Sequence, residues 1–517
     1  MTDRDSYYIT TPIYYVNDVP HIGHAYTTLA CDVLARFHRL DGRRVLFLTG
    51  TDEHGQKVEK SAAKAGLDPQ SFCDRVAQRF RELAEVMNFS NDQFIRTTEN
   101  RHKLSVQELW RRIDANGYLY EDSYAGWYSV RDEAFYAESE LVEGEGGEKL
   151  APSGAPVEWV EEPSFFFRLS AFQDRLLDFY DSNPGSVQPV ARRNEVRSFV
   201  AGGLRDLSVS RTSFNWGVPV PGRSDHVMYV WIDALTNYLT AVDFPDTTSD
   251  LFTTFWPADV HMVGKDILRF HAVYWPAFLM AADIEPPRRV FAHGWWTNEG
   301  QKISKSLGNV IDPFELVDYY GLDPVRYFLM REVPFGQDGD FTREAFVHRV
   351  NADLANGIGN LAQRTLSMIA KNCAAAVPDP GDLPAADTAL WDEAETVLAR
   401  SRELLEAQDI HRYLEEVIRL VGKADGYISH EQPWALKKTD PDRMRQVLYV
   451  LAETVRRIAI LLQPAVPDSA GAILDQLAVP GDRRSFAHLA GTDHCLVPGT
   501  PLPAPKGVFP RLTLEAE

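Results

Sequence analysis

Two short motifs hold the side chains of this chain that are best suited to bind phosphate. The first is His21-Ile22-Gly23-His24, which opens a segment with apolar residues at helical spacing. A helix start presents unpaired N–H groups and the positive end of the helix dipole, so it attracts phosphate. Both imidazoles can donate a hydrogen bond to a phosphate oxygen, and Gly23 lets a ligand approach the backbone. Two surface histidines that cap a helix are the alternative for this motif alone.

The second motif lies in a polar loop after Gly300, where Lys302 and Lys305 are interspersed with Ser304 and Ser306. Two ammonium groups and two hydroxyls on such a loop can hold a polyphosphate whose charge rises in a transition state. A solvated basic loop is the alternative for this motif by itself. Because both motifs occur in one chain in this order, phosphate chemistry is favoured over that alternative.

An α/β fold must position these motifs, because polar clusters follow four predicted buried strands, at 7–11, 45–49, 259–263 and 290–293. In a doubly wound parallel sheet, ligands bind where the carboxyl ends of the strands meet. The sequence therefore predicts a Rossmann-like sheet with a composite ATP site. Besides the two motifs, the residues predicted there are Gly264, Asp266, His293 and Gly294.

The order of the predicted elements divides the chain into five parts. Residues 1–117 and 223–300 are the two halves of the α/β domain, and the aromatic stretch 118–222 is a β-rich insert between them. Residues 301–345 hold the lysine-serine loop and a link, and apolar stripes in 346–517 predict a helix bundle. Between Gln56 and Gly117 the patterning is helical, with breaks at Gly66 and near Asn88.

The composition restricts the class of protein. The formal net charge of -21 over 517 residues argues against indiscriminate nucleic-acid binding, although a local basic surface is compatible with it. No membrane span and no secretory signal are expected. The four cysteines are too widely separated for a metal-type pair or a disulfide framework. We expect a cytoplasmic protein.

Together the two motifs resemble the signatures of class I aminoacyl-tRNA synthetases, with Ile303 in place of the usual methionine. A longer resemblance, to the methionyl-tRNA synthetase family, covers nearly the whole chain to about Leu477. It implies ATP-dependent activation of methionine, with Mg²⁺ accompanying the ATP, and transfer of methionine to tRNA(Met). The segments that carry it are 11–17, 50–55, 229–234, 264–267, 270–271 and 275–277.

The predicted methionine pocket has the chemistry that an unbranched thioether needs. Trp231, Leu235 and Tyr238 are spaced to share one helix face, and Ile267 and His271 share another. Apolar and aromatic walls suit a thioether, and a carboxylate can hold the α-ammonium group. Ordinary core packing is the alternative for both stripes. The resemblance implies that methionine is surrounded by Ile13, Tyr15, Asp52, Trp231, Ala234, Leu235, Tyr238, Ile267 and His271, with Leu235 where some relatives have proline.

The helix bundle contains a candidate site for single-stranded RNA. Trp434 offers a flat face for base stacking, and Asn360 and Arg364 offer hydrogen bonds to base edges. A tryptophan in the core of the bundle is the alternative. The resemblance implies that these three residues and Pro433 bind the tRNA anticodon, and it places Asp425 where the family often has asparagine.

Many members of the family hold zinc in the insert, but here Ser129 and Asp132 occupy the spacing of the expected Cys-x-x-Cys pair. No cysteine lies between Cys73 and Cys373, so the sequence predicts an insert without zinc and no dedicated metal site. The resemblance also implies that Arg211 helps to close the site. Because the chain ends soon after the bundle, we expect a monomer.

Two functions of other classes stay open at this point. A small-molecule nucleotidylyltransferase would share the histidine motif but would not need a helix bundle of this size. A non-catalytic tRNA-binding relative should lack the histidines or the lysines. Among synthetases, a cysteine enzyme would need metal ligands in its pocket, and a branched-chain enzyme would need a large editing insert.

Overall fold

The computed structural model describes residues 5–16, 19–132, 134–144, 146–303 and 308–514. Two of the predicted phosphate ligands, Ser304 and Lys305, lie outside these ranges. Within them, no helix combines the length and the apolar character needed to cross a membrane.

The strands fall into a catalytic half, an insert and a short sheet beside the lysine-serine loop. In chain order they are β1 (Ser6–Thr10), β2 (Tyr14–Tyr15), β3 (Arg44–Asp52), β4 (Gln93–Arg96), β5 (Leu119–Ser129), β6 (Ala134–Tyr136), β7 (Val142–Glu143), β8 (Lys149–Leu150), β9 (Glu158–Phe167), β10 (Val187–Gln188), β11 (Leu207–Ser208), β12 (Ser210–Arg211), β13 (Pro219–Val220), β14 (Arg223–Met228), β15 (Val260–Gly264), β16 (Val290–His293), β17 (Trp296–Asn298), β18 (Gln301–Lys302) and β19 (Gly339–Phe341).

The α-helices alternate with the strands up to residue 341 and dominate the chain after it. In chain order they are α1 (Ile22–Leu40), α2 (Gln56–Lys64), α3 (Pro69–Val86), α4 (Asn100–Ala115), α5 (Gln173–Ser182), α6 (Val190–Ala201), α7 (Val230–Leu235), α8 (Asn237–Thr240), α9 (Asp250–Phe255), α10 (Trp275–Ala281), α11 (Pro313–Tyr320), α12 (Leu322–Arg331), α13 (Arg343–Val350), α14 (Asn360–Asn372), α15 (Ala385–Glu406), α16 (Ile410–Glu431), α17 (Pro433–Thr439), α18 (Pro441–Leu462) and α19 (Pro467–Gln476).

A parallel sheet with the order β10-β16-β15-β1-β3-β2, in which β4 also pairs with β3, forms the centre of the catalytic half. This confirms the predicted doubly wound fold. Helix α1 packs on the sheet through the predicted apolar stripe. Ile22, Tyr26, Leu29, Val33 and Phe37 of that stripe are buried, as expected for a helix that covers a parallel sheet.

Three strands of this sheet, β2, β4 and β10, were not predicted. The helical prediction for 56–117 is wrong at β4, where pairing with β3 decides the conformation of a four-residue segment in which only Ile95 is buried. Strand β10 lies inside the stretch predicted as the insert, yet it pairs with β16 at the edge of the central sheet. The domain boundaries themselves stay a prediction.

The insert is built on a long antiparallel pairing of β5 with β9, in a four-stranded sheet of order β11-β9-β5-β6. It therefore has the predicted β-rich character. The turn between β5 and β6 lies at the far end of this pairing from Leu119 and Phe167, where the chain enters and leaves the sheet.

The predicted helix bundle is formed by α14 to α19, with α15, α16 and α18 packed on one another. Its predicted stripes are buried, including Ile410, Leu414 and Val417 on α16. Before α14, a π-helical stretch, Asn351–Gly359, continues from α13.

A buried arginine joins the bundle to helix α1. The guanidinium of Arg326, on α12, donates to the carboxylate of Asp32 on α1 at 2.7 Å. It also donates to the carbonyls of Ala465, Pro464 and Met87 at 2.9, 3.0 and 3.0 Å. Both charged side chains are fully buried. One side chain therefore links α1, the end of α3 and the turn between α18 and α19.

Candidate active site

A cavity of about 500 Å³ opens at the carboxyl ends of the central strands. Gly294 and Lys302 line an adjoining cavity of about 290 Å³, and His21, Gly23, His293 and Trp295 line both. The structure thus brings together every predicted phosphate and methionine residue that it describes. In the larger cavity these are Ile13, Tyr15, His21, Gly23, His24, Asp52, Trp231, Ala234, Leu235, Tyr238, Gly264, Asp266, Ile267, His271 and His293.

The start of α1 fixes the two histidines of the first motif through their own ring nitrogens. His21 is the N-cap residue, and its Nδ1 accepts a hydrogen bond from the backbone N–H of Gly23 at 3.1 Å. Nδ1 of His24 accepts one from the backbone N–H of His21, also at 3.1 Å. A neutral imidazole whose Nδ1 accepts carries its proton on Nε2. Each ring therefore keeps one N–H donor for a ligand.

Burial keeps both imidazoles neutral. It lowers the pKa of His21, and it lowers the pKa of His24 well below its usual value, with the nearby His21 adding to the effect. The ring centroids are 3.9 Å apart, and His24 packs edge-on against Tyr14 and Phe80. The pair can therefore donate hydrogen bonds from fixed positions without carrying a charge.

Gly23 is needed by the ring of His21 as well as by an approaching ligand. A Cβ at this position would lie 2.9 Å from Cε1 and 3.1 Å from Nδ1 of His21. Any larger residue would push the ring away from the helix start and break its hydrogen bond to the backbone. The glycine is therefore part of the geometry that sets the tautomer of His21.

His293 fixes the end of β16 against α1. Its Nε2 lies 2.7 Å from the hydroxyl of Thr27, and its Nδ1 donates to the carbonyl of Gly294 at 2.8 Å. Burial lowers the pKa of His293. The next residue must be glycine, because a Cβ on Gly294 would lie 2.3 Å from the backbone carbonyl carbon of Gln337.

The apolar end of the cavity contains one buried polar pair. The hydroxyl of Tyr238 lies 2.7 Å from Nε2 of His271, whose Nδ1 donates to the carbonyl of Ile267 at 3.0 Å. The hydroxyl of Tyr238 is therefore the donor to Nε2. Burial lowers the pKa of His271 to about 4, so this imidazole is neutral at physiological pH. Trp231 completes the wall and stacks on Phe270 at 3.7 Å.

The two predicted helix faces are less regular than expected. Trp231 and Leu235 lie on α7 but Tyr238 lies on α8, and Thr236 separates the two helices. Ile267 ends a 3₁₀ turn and His271 lies in a π-helical turn, Phe270–Tyr274, that leads into α10. The side chains still converge, because each irregular turn faces the same cavity.

A buried carboxylate holds α7 in place behind the cavity. Asp233 lies 2.6 Å from Nδ1 of His54, in the segment after β3, and 2.8 Å from Nε2 of His102 on α4. Burial alone would raise the pKa of Asp233, but the two histidines outweigh it and hold the pKa at about 2. The ionised carboxylate therefore ties the wall that carries Trp231 and Ala234 to two other elements.

Sequence reasoning missed several residues of the cavity wall: Lys57, Arg131, Asp132, Asn237 and Trp295. Arg131 and Asp132 belong to the turn between β5 and β6, so the insert contributes to the site. Only the spacing of Ser129 and Asp132 singled out this turn in the sequence.

Trp295 lies beside the start of the lysine-serine loop. Its indole Nε1 donates to Asp266 at 3.2 Å, and its ring centroid lies 4.4 Å from Nζ of Lys265 and 5.8 Å from Nζ of Lys302. Lys302 itself is exposed at the end of β18. This tryptophan lines both cavities and lies close to both lysine ammonium groups.

The bundle brings three of the RNA-related residues together. Cζ of Arg364 lies 5.5 Å from the ring centroid of Trp434, and its Nη1 lies 4.0 Å from Oδ1 of Asp425. Trp434 is 43% exposed, so the interpretation as a core tryptophan is wrong. Asn360 is exposed one turn before Arg364 on α14, and Pro433 is buried at the start of α17.

Arg211 is buried at the junction between the insert and α7. It donates to the hydroxyl of Ser208 at 2.8 Å and to the carbonyl of Ser210 at 2.6 Å, and its Cζ lies 4.6 Å from the ring centroid of Tyr229. Its part in closing the site stays a prediction.

Comparison with known proteins places the whole chain in one family. Residues 7–366 match the family model for tRNA synthetases class I (M), and residues 377–517 match that for the anticodon binding domain of methionyl tRNA ligase. The methionine--tRNA ligases of Mesorhizobium japonicum and Brucella suis are 59% and 58% identical over 98% of both chains.

Solved structures show the same similarity. Mycobacterium tuberculosis methionyl-tRNA synthetase in complex with methionyl-adenylate superimposes with a TM-score of 0.95 at 55% identity, over 98% of this chain and 100% of that one. The apo form of that synthetase gives a TM-score of 0.89 at 52% identity, over 99% of each chain. By family model, sequence and structure, the chain belongs to the methionyl-tRNA synthetases, which are class I aminoacyl-tRNA ligases.

Proposed function

We propose that this methionine--tRNA ligase carries out both of its half-reactions in the cavity at the carboxyl ends of the central strands. A methionine carboxylate oxygen attacks the α-phosphorus of ATP and pyrophosphate leaves. A ribose hydroxyl at the end of tRNA(Met) then attacks the carbonyl of the adenylate, and AMP leaves. The main support is one cavity that joins the neutral histidine pair at a helix start to an aromatic pocket containing Asp52.

At the phosphate end, His21 and His24 would donate their Nε2–H groups to phosphate oxygens, in line with the hydrogen bonds that occupy both Nδ1 atoms. Lys302, which lies beside Trp295, and Lys305, outside the described residues, would hold the departing pyrophosphate. Hydrogen bonds and charges that strengthen as the pyrophosphate leaves stabilise the transition state without any covalent step by the protein. Ser304 would assist from the same loop.

At the other end, methionine would lie between Ile13, Tyr15, Trp231, Ala234, Leu235, Ile267 and the Tyr238–His271 pair. Asp52 would bind its α-ammonium group. A pocket of this kind discriminates against isosteres through buried polar groups that only the right ligand satisfies. Gly264, Asp266, His293 and Gly294 would line the adenosine side, since they lie at the carboxyl ends of β15, which pairs with β1, and of β16, which pairs with β15.

Mg²⁺ would enter as a partner of ATP, because the neutral imidazoles and lysines of the phosphate end are not ligands that Mg²⁺ prefers. Zinc does not fit the insert turn: Ser129 and Asp132 offer oxygen atoms where a structural zinc site needs nitrogen and sulfur. The residues that the structure describes contain no cluster of three or more possible metal ligands. We further propose a cytoplasmic monomer; the four cysteines are all free.

The anticodon of tRNA(Met) would be bound by Asn360, Arg364, Pro433 and Trp434. Support comes from the exposure of Trp434 and from the guanidinium of Arg364 beside its ring. Base stacking on an exposed aromatic face is worth about 1–3 kcal/mol. Trp434→Ala should therefore weaken aminoacylation of tRNA roughly tenfold or more, with amino-acid activation in the absence of tRNA unchanged.

The first experiment is amino-acid-dependent ATP–pyrophosphate exchange across the twenty amino acids without tRNA. We expect exchange with methionine alone. Exchange with another amino acid would overturn the pocket assignment but keep the mechanism, and no exchange with any would refute the proposed catalytic site. With methionine, Lys305→Ala should slow single-turnover adenylate formation with little change in methionine affinity.

A further inference from the structure

Two residues of the insert form part of the active-site wall, although the insert is a separate sheet. Arg131 and Asp132 lie in the turn between β5 and β6 and line the same cavity as His24 and Asp52. Nζ of Lys57, near the start of α2, lies 3.5 Å from the backbone carbonyl of Arg131. The turn therefore lies next to the catalytic domain at the cavity.

Hydrogen bonds among four residues fix this turn. We call these residues, Ser129, Asp132, Tyr136 and Ser153, the Asp132 cluster. The Asp132 carboxylate accepts from the hydroxyl of Tyr136 at 3.0 Å and from the hydroxyl of Ser153. The backbone N–H of Asp132 donates to the hydroxyl of Ser129 at 3.2 Å. The cluster thus joins the end of β5, the end of β6 and the loop after β8 around one carboxylate.

The carboxylate at the centre of the cluster is ionised at neutral pH. Burial alone would raise the pKa of Asp132, but the hydrogen bonds from Ser153 and Tyr136 outweigh this and lower the pKa. Hydrogen bonds to an ionised acceptor are about twice as strong as neutral ones, so the cluster can hold the turn rigidly.

The cluster also orients the side chain of Arg131. Nη2 of Arg131 donates to the carbonyl of Ser153 at 2.7 Å, and its Nε lies 3.4 Å from Oδ1 of Asp132. The side chain is 54% exposed. Within the described part of the chain, Nη1 of Arg131 makes no hydrogen bond. A guanidinium with donors to spare thus lies at the wall of a cavity.

This placement matters because both substrates of the proposed function bring anions into the cavity. Methionine carries a carboxylate and ATP carries a triphosphate, and the two must approach each other for the carboxylate to attack. Guanidinium groups bind such oxyanions with strong, directional hydrogen bonds. Of the two predicted cations, Lys302 lines the adjoining cavity, whereas Arg131 lines the larger one.

We propose that Arg131 binds a substrate oxyanion during amino-acid activation and that the Asp132 cluster is its positioning group. The inference rests on the proposed function and extends it: the insert supplies a cation to the reaction. The oxyanion is either the methionine carboxylate or an ATP phosphate, and the experiment below separates the two.

The test measures methionine-dependent ATP–pyrophosphate exchange for Arg131→Ala, Asp132→Ala and the double variant. Loss of a hydrogen bond to a charged group predicts a fall in kcat/KM of roughly ten- to a hundredfold for each single variant. If Asp132 acts only through Arg131, kcat/KM of the double variant should be no lower than that of the less active single variant. Tyr136→Phe should give a smaller fall in the same parameter.

Matched controls are Asp122→Asn, an exposed acid on β5, and Arg175→Ala on α5, and both should keep wild-type exchange. The source of the oxyanion is identified by binding of methionine, of methioninol, which lacks the carboxylate, and of ATP. If Arg131→Ala weakens methionine but not methioninol, Arg131 binds the carboxylate. If it weakens ATP alone, Arg131 binds a phosphate.

Three results would overturn the proposal. Arg131→Ala could keep wild-type kinetics, the two single effects could multiply in the double variant, or Asp132→Ala could lose activity only in proportion to a lowered melting temperature. Wild-type exchange with methionine is the reference for all of them. Its absence would refute the proposed function rather than the role of Arg131.

Discussion

At the scale of single residues, the proposed phosphate end of the site offers uncharged donors to an anionic ligand. His21 and His24 are held in one tautomer by backbone N–H groups, and burial lowers the pKa of both. A neutral donor binds phosphate less strongly than a cation but costs less to bury. Lys302 is exposed at the end of β18, where we expect it to interact with the leaving pyrophosphate.

The packing of Gly23 against His21 leads to a first prediction. Gly23→Ala should displace the ring of His21 and lower the rate of adenylate formation at least tenfold, because one phosphate donor is lost or misplaced. Methionine affinity should not change, since the pocket lies at the other end. Single-turnover kinetics and methionine binding measure the two effects.

The control for this variant is Gly422→Ala on α16, where an added Cβ meets nothing within 4 Å. It should leave both parameters at wild-type values. Wild-type rates for Gly23→Ala would show that the ring of His21 can move without loss of function.

Buried histidines also predict how stability depends on pH. Burial lowers the pKa of His271 to about 4 and that of His38, with the charge of Arg43 adding to it, to about 3. Both stay neutral in the folded chain but gain a proton below about pH 6.5 when it unfolds. The unfolded state then binds more protons, so stability is complete above pH 6.5 and falls as the pH drops below it.

The measurement compares wild type with His38→Gln, a variant outside the active site. Between pH 7.5 and 5.5 each such histidine should cost about 1.4 kcal/mol of unfolding free energy. His38→Gln should therefore lose about that much less stability over this interval. An unchanged pH dependence in urea unfolding would show that His38 is not neutral in the folded state.

At the scale of elements, the irregular turns of the methionine wall depend on a buried anchor. Helix α7 has six residues and α8 has four, so neither is stable by itself. Asp233 supplies the missing support through His54 and His102. The wall is therefore positioned by electrostatics as much as by packing.

Asp233→Asn tests this anchor. Each oxygen of the Asp233 carboxylate contacts one imidazole, whereas the asparagine amide has only one oxygen to accept a hydrogen bond. Loss of a buried charged partner costs about 3–5 kcal/mol in comparable cases. We expect a lower unfolding free energy and a raised KM for methionine, with the KM for ATP nearly unchanged. Asp246→Asn, in the exposed loop after α8, is the control, and equal effects on both KM values would contradict the anchoring role.

Which of these elements could be predicted depended on local signals. The strands ending in Gly-rich clusters, helix α1 and the bundle helices have strong apolar patterns, and they were predicted. Strand β4 and the edge strand β10 are too short to show an apolar pattern in the sequence. Their extended conformation is determined by pairing with β3 and β16. The role of the β5–β6 turn is not visible locally, since Arg131 meets the cavity only after the insert folds onto the catalytic domain.

At the scale of the whole molecule, the catalytic half and the bundle share buried groups. Arg326 binds Asp32 on α1 and two carbonyls of the turn after α18. A second pair across the same boundary, Arg402 with Asp41, is more exposed. Helix α1 begins at the phosphate end of the active site, so the bundle directly supports the element that carries the histidines.

Arg326→Leu should therefore destabilise the chain strongly, by about 3–5 kcal/mol, because Asp32 would remain buried without its main partner. Arg402→Ala should cost at most about 1 kcal/mol, as for an exposed pair. Calorimetry measures both and also shows whether the two halves still unfold together. Similar losses for the two variants would contradict the central role of the buried arginine.

The shared arginine sets a limit on dissecting this enzyme into independent modules. A fragment that ends before residue 464 would keep Arg326 and Asp32 but lose two of the carbonyls that the guanidinium binds. Hydrophobic surface of α12 and α1 would become exposed in the same place. A minimal version of the catalytic half would therefore need a redesigned surface where Arg326 now contacts the turn after α18. Simple truncation should yield an aggregation-prone protein.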